Sequence, residues 1–210
     1  MNNKELYIFD MDGTLLDSMP TWQNLDHIYL GMYNITMPDD FHEKITSFTL
    51  PECAIYFESL GVPKSSNEIL DEIISLVEDA YQRHIPLKRQ TYRVITELYL
   101  YAKTLCLLTT SEKSYAMPAL KRLGIYDYFT GIHTSAELGL DKRTPEIYKT
   151  ICQMYDTAPE NTTVYEDTLF AVRSAKEAGC HVVAVYDEAS DKYWNEISKI
   201  ADDTIIENIY

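Results

Sequence analysis

Apolar positions along the chain gather into short β-branched, aliphatic and aromatic runs, separated by longer stretches of helical period. Runs at 6–9, 104–108, 163–165 and 182–186 predict strands, with weaker candidates at 131–134 and 204–206. Between the later runs, helical patterns cover three segments. The first, 115–123, is stopped by Gly124; the second, 145–155, carries Pro145 in its first turn; the third, 170–178, is stopped by Gly179. Strands alternating with helices predict βαβ units and an α/β fold with a doubly wound, mainly parallel sheet.

One connection breaks this rhythm. A plain helical crossover needs only about a dozen residues, yet Leu15 and Thr104 are separated by a far longer stretch of helical pattern. Asp17 or Ser18 can cap a helix with Pro20 in its first turn, and 52–60 ends at Gly61. Ser65 and Glu68 make a capping box before Ile69, Ile73, Val77 and Tyr81, which share one face. The pattern predicts an α-helical cap at 18–87 inserted into a core formed by 1–17 and 88–210. A peripheral helical layer without a moving part fits the same pattern.

Composition narrows the function classes. A hydrophobic share of 46% with 12% aromatics is that of a globular protein, and the net charge of −15 excludes a phosphate-backbone or anionic-membrane partner. No apolar run is long enough to span a bilayer, and the N-terminus lacks the apolar stretch of a secretion signal, so a cytoplasmic protein is expected. Cys53, Cys106, Cys152 and Cys180 are scattered, as are the histidines, which predicts buried thiols and no His/Cys metal site.

Candidate chemistry falls at four predicted strand ends, where open α/β sheets bind ligands. Asp10 and Asp12 follow the first strand within Asp10-Met11-Asp12-Gly13-Thr14-Leu15. One ionised carboxylate there can attack phosphorus, and the other can carry the proton of the leaving alcohol. Thr109 and Thr110, in Thr109-Thr110-Ser111, offer hydroxyls for a phosphoryl oxygen, although such residues are also ordinary helix caps. Lys142 can neutralise phosphoryl charge, or belong to a solvated cluster with Asp141 and Arg143. Glu166 and Asp167 can serve as oxygen ligands for Mg²⁺, or as acids complementing a helix dipole. Together these groups make a set for phosphoryl transfer, and a divalent cation would offset the acidic balance of the chain.

The sequence resembles the haloacid dehalogenase superfamily, in the helical-cap subgroup that includes phosphoglycolate phosphatases and β-phosphoglucomutase-like proteins. The resemblance covers essentially the whole chain and implies a Rossmann-like core with an inserted cap. It assigns Asp10 as nucleophile and Mg²⁺ ligand, Asp12 as acid/base and backbone ligand, and Asp167 with Glu166 as metal ligands. Thr109 and Lys142 would hold the phosphoryl group. The chain departs from the family pattern at Arg143, at Arg89-Gln90 and at Ala171, none of which removes a catalytic group. Dehalogenases proper lack the second aspartate, so Asp12 implies phosphate chemistry. Mutases of this subgroup carry a histidine near the place of Trp22. The expectation is therefore a Mg²⁺-dependent phosphatase acting on a small phosphorylated metabolite, as a monomer or weak homodimer. A sugar phosphomutase is the alternative, and a non-catalytic binding protein a more distant one. Thr46-Ser47-Phe48-Thr49 and Lys88-Arg89 are the candidate specificity segments.

Overall fold

The computed structural model describes residues 5–45, 48–101 and 103–206, without the side chains of residues 42 and 43. The extreme N-terminus, and Thr46 and Ser47 of the candidate specificity segment, lie outside the described residues.

The predicted strands assemble into one six-stranded sheet. They are β1 (Leu6–Phe9), β2 (Thr104–Thr109), β3 (Gly131–Thr134), β4 (Thr162–Glu166), β5 (His181–Val185) and β6 (Asp203–Ile205), in the order β3-β2-β1-β4-β5-β6. Every neighbouring pair runs parallel, so the fold is the expected α/β class. Helices α1 (Met19–Met32), α2 (Phe41–Ile45), α3 (Leu50–Ser59) and α4 (Ser66–Arg83) follow β1, and α5 (Arg89–Leu100) leads into β2. Beyond β2 come α6 (Lys113–Arg122), then α7 (Ser135–Leu138) and α8 (Pro145–Met154) between β3 and β4. Next are α9 (Leu169–Ala178) before β5 and α10 (Asp191–Ile200) before β6. Among the described residues, no helix is long and apolar enough to cross a membrane.

The chain divides into two compact units, Pro20–His84 and the remainder. In the helical unit, Ile69, Ile73, Val77 and Tyr81 are all buried along one face of α4, as their spacing requires. Its start is fixed by the Ser65–Glu68 capping box. Helix α3 begins earlier than the apolar pattern indicates, because Thr49 and Glu52 form a second capping box around Pro51. Rings of Tyr29 and Phe41 stack on Phe57 at 5.8 and 6.2 Å, filling the centre of this unit.

In the core unit, successive residues of β1 serve opposite faces of the sheet. Leu6 and Ile8 join Cys106, Leu108, Val164, Ile147, Ile151 and Val172 in one buried cluster. Phe9 stacks on Tyr165 at 4.3 Å. All four cysteines are free and buried. The segments bordering the helical unit pair with each other: the Asp17 amide donates to the Pro86 carbonyl at 3.0 Å, and the Lys88 amide to Leu15 at 2.9 Å. Register then places the site. Phe9 is level with both Leu107 and Tyr165, so the next residues, Asp10 and Glu166, sit side by side at the carboxyl ends of adjacent strands. Strand order reverses there, which opens a crevice at the sheet's switch point.

Candidate active site

Asp10 leaves β1 with its amide still bonded to the Tyr165 carbonyl at 3.0 Å, and the residue is only 7% exposed. The turn beyond it depends on Gly13, at φ +83°. A Cβ at that position would meet Asp167 Oδ2 at 2.6 Å, so a side chain is excluded by backbone and by space. Thr14, fully buried, donates its hydroxyl to Asp167 Oδ1 at 3.1 Å. The first motif is thereby tied to the fourth.

Lys142 arrives from a tight loop. Asp141 accepts the Arg143 amide at 2.8 Å, and its carbonyl accepts the Thr144 amide at 3.0 Å before Pro145 starts α8. Asp141 and Arg143 face solvent as a pair at 3.2 Å, while Lys142 turns inward and is 3% exposed. Its ammonium donates to Asp10 Oδ1 at 2.6 Å and also pairs with Glu166. The solvated-cluster reading therefore describes its two neighbours and not Lys142.

Glu166 is engaged on both oxygens. Besides Lys142, it accepts the amides of Asp167 and Thr168 at 2.8 and 3.0 Å and the Thr168 hydroxyl at 3.1 Å. It thus satisfies backbone donors on the approach to α9 while anchoring the lysine. Asp10, Glu166 and Asp167 each present a carboxylate oxygen within 4.8 Å of the others, and all three are buried. Burial is the main cause that lifts Asp10 to about 7; Lys142 opposes it, while Glu166 and Asp12 reinforce it. Burial likewise holds Asp167 well above the usual carboxylate range, with Glu166, Asp10 and Asp187 adding repulsion. For Lys142 burial works against the charge, but Asp10 and Glu166 override it and keep the ammonium well above its ordinary value.

Three hard carboxylates balanced by one lysine leave an excess of buried negative charge. That donor set fits a small divalent cation such as Mg²⁺.

Asp12 is half-buried, with Ser18 and Ser111 each donating to one of its carboxylate oxygens at 2.6 Å. Ser18 precedes α1 as a helix-start residue should, but its hydroxyl proton goes to Asp12. Thr109, at the tip of β2, is 1% exposed and accepts the Ser111 amide at 3.0 Å on its Oγ1, which leaves its own O–H to donate elsewhere. Thr110 is exposed. Sequence reasoning does not single out Thr14, and it offers Ser18 only as an alternative to Asp17 for a helix cap. The Asp-x-Asp-Gly-Thr turn and a serine shortly after it were the available signals.

In the candidate specificity segments Phe48 and Arg89 are exposed, whereas Thr49 and Lys88 have structural roles. Thr49 caps α3, and Lys88 is buried in an ion pair with Asp187 at 2.7 Å, also donating to the Tyr186 carbonyl at 2.7 Å.

The family model for haloacid dehalogenase-like hydrolases matches residues 7–185, most of the chain and all four motifs. The chain belongs to that family. Among curated relatives of this hydrolase, the Thermotoga maritima phosphorylated carbohydrates phosphatase is 26% identical over 182 residues, 83% of this chain and 82% of the relative. The Escherichia coli fructose-1-phosphate phosphatase is 24% identical over 185 residues, 85% and 94% of the two chains. A solved Thermotoga maritima structure with the provisional name beta-phosphoglucomutase superposes with a TM-score of 0.81 at 23% identity, covering 96% of this chain and 94% of its own. CbbY from Rhodobacter sphaeroides, in complex with a xylulose bisphosphate, gives 0.72 at 19% identity, covering 96% and 93%. These two likenesses establish the haloacid dehalogenase fold.

Proposed function

We propose that this hydrolase is a Mg²⁺-dependent phosphatase of a small phosphorylated metabolite, working through an aspartyl-phosphate on Asp10. One observation carries the reading: Asp10, at the crevice of the sheet, is in contact with Lys142 and beside Glu166 and Asp167, with a second aspartate two residues on. The names of the curated relatives, phosphatases of phosphorylated carbohydrates and of fructose 1-phosphate, support the same chemistry and the substrate class.

In this reading the Asp10 carboxylate attacks phosphorus as the ester P–O bond breaks, and Asp12 gives its proton to the departing alcohol oxygen. Water then attacks the phosphoryl group while Asp12 takes back a proton, releasing orthophosphate and the Asp10 carboxylate. Lys142, already on Asp10, balances charge on the carboxylate and the transferred group, and the Thr109 hydroxyl donates to a phosphoryl oxygen. Asp10 and Asp167, with the Asp12 carbonyl and with Glu166 alongside, would hold Mg²⁺. The cation supplies the counter-charge that keeps Asp10 ionised despite its burial. Thr110, exposed beside Thr109, would offer a further hydroxyl to the phosphoryl group.

In this reading residues 18–87 are the cap domain, whose role is to exclude bulk water during turnover. The enzyme works in the cytoplasm as a monomer or weak homodimer. The mutase alternative loses ground at Trp22, whose indole N–H donates to the Tyr81 hydroxyl at 2.8 Å, a structural contact inside the helical unit. A panel of phosphate monoesters assayed with and without Mg²⁺ tests the proposal, with D10N as control. Orthophosphate release is expected. Isomerised sugar phosphate primed by a bisphosphate would establish the mutase, and no turnover on any ester would overturn the enzyme reading.

A further inference from the structure

Both carboxylate oxygens of Asp12 accept a serine hydroxyl. Asp10 is held by an ammonium, and Glu166 by an ammonium, two backbone amides and the Thr168 hydroxyl. An ammonium or an amide N–H only donates, so it favours the ionised carboxylate and disfavours the protonated one. Asp12 is held on Oδ1 by Ser18 and on Oδ2 by Ser111, two hydroxyls at 2.6 Å. A hydroxyl can donate to a carboxylate and, after rotating about its C–O bond, accept from a carboxyl O–H. It therefore serves an acid in both protonation states. Both serines are fixed by their surroundings: Ser18 is fully buried, and the Ser111 amide is locked onto Thr109 Oγ1 at 3.0 Å.

We infer that Ser18 and Ser111 are positioning residues that keep Asp12 competent as a reversible proton carrier, and that they fit the site to phosphate esters of ordinary alcohols. This rests on the phosphatase reading above. When the P–O bond of an alkyl ester breaks, the alkoxide needs the Asp12 proton; one serine yields its place to the ester oxygen while the other keeps the carboxyl aimed. After the transfer both hydroxyls donate again to the carboxylate. An ester whose leaving group departs unprotonated, such as 4-nitrophenyl phosphate, makes no such demand on Asp12 in that step.

The test compares kcat/KM for a sugar phosphate turned over by the wild-type enzyme with kcat/KM for 4-nitrophenyl phosphate. It uses S18A, S111A and the hydroxyl-retaining S18T and S111T. The ratio covers events only through departure of the leaving group, so the common hydrolysis of the aspartyl-phosphate does not enter. Each alanine variant is expected to lose about tenfold more on the sugar phosphate than on the aryl ester, and the threonine variants to restore the ratio. Equal losses on both esters in S111A, whose side chain is only half-buried, would overturn the proposal, as would no loss on either. Absence of wild-type turnover on every ester would instead remove the phosphatase reading itself.

Discussion

Glu72 and Asp167 are both acids set among hydrogen-bond donors and other charges, one in each unit of the chain. Glu72 accepts the hydroxyls of Tyr29 and Tyr33 at 2.8 and 2.7 Å and pairs with Lys64. It remains a third exposed, and its partners, Lys64 first and then the two tyrosines, draw it down to about 2. Asp167 receives one hydroxyl, from Thr14, and faces Glu166, Asp10 and Asp187 in full burial, which drives it up. The groups bonded to the first acid all favour its charge, and most neighbours of the second oppose it. Local stability selects the first arrangement. The second persists only where something outside the chain resolves the conflict, which is why such clusters mark functional sites.

The comparison is broken most severely at Asp10. D10N keeps the shape of the site and removes the nucleophile, so turnover is expected to fall by at least about 10⁴-fold while the far-ultraviolet circular dichroism stays native. Retained turnover would remove Asp10 from the mechanism and leave the raised acid at about 7 without a purpose. A smaller effect follows from the cation. If the buried carboxylates exist to hold Mg²⁺, then Mg²⁺ at about 100 times its dissociation constant should stabilise the fold by roughly 2.7 kcal/mol. For a chain of this size that is a rise in melting temperature of about 5–10 °C, reversed by a chelator. No shift in calorimetry with Mg²⁺ would contradict the site.

Asp167 itself gives the sharpest version. Asp167→Asn removes a charge that burial and Glu166 both oppose while keeping an acceptor for the Thr14 hydroxyl. The metal-free variant is expected to be more stable than the wild type by about 1 kcal/mol, yet to lose most of the Mg²⁺-induced shift. A destabilised metal-free variant would mean that Asp167 is a structural acid like Glu72.

How far the sequence discloses this contrast depends on what each feature needs. The strands of the core and the capped helix α4 follow from local periodicity, since each carries its apolar face within a few residues. Helices α5 and α10 are not evident, because the side chains of Lys88 and Ser190 do not cap their starts, and α10 buries only Ile197. Helices α2 and α7, five and four residues long, are too short for any period to show. Within the site, Asp10 and Asp12 are legible because a strand ends there. The inward turn of Lys142 is not, since it depends on Asp141 folding the loop around it. The serines on Asp12 illustrate the limit: Ser111 is 99 positions from it, and only the register of β1 against β2 brings them together.

An effect of similar size at Glu72 completes the contrast, because it should have the opposite sign. Glu72→Gln keeps an acceptor for the tyrosine hydroxyls but loses the charge that Lys64 stabilises. Glu72 titrates near 2 in the fold against an ordinary value of 4.5, so the folded state binds its proton less readily than the unfolded state. Its contribution is therefore complete above about pH 5 and disappears as the pH falls through 2. Solvent screening at a partly exposed pair reduces it to about 1 kcal/mol. Urea unfolding of wild type and variant should differ by that amount at pH 7 and converge progressively below pH 4.5. An equal gap at acid and neutral pH would show that the tyrosine hydrogen bonds alone carry the contribution of Glu72. Opposite signs for two acid-to-amide changes, one in each unit, would separate an acid kept for the fold from an acid kept for its ligand.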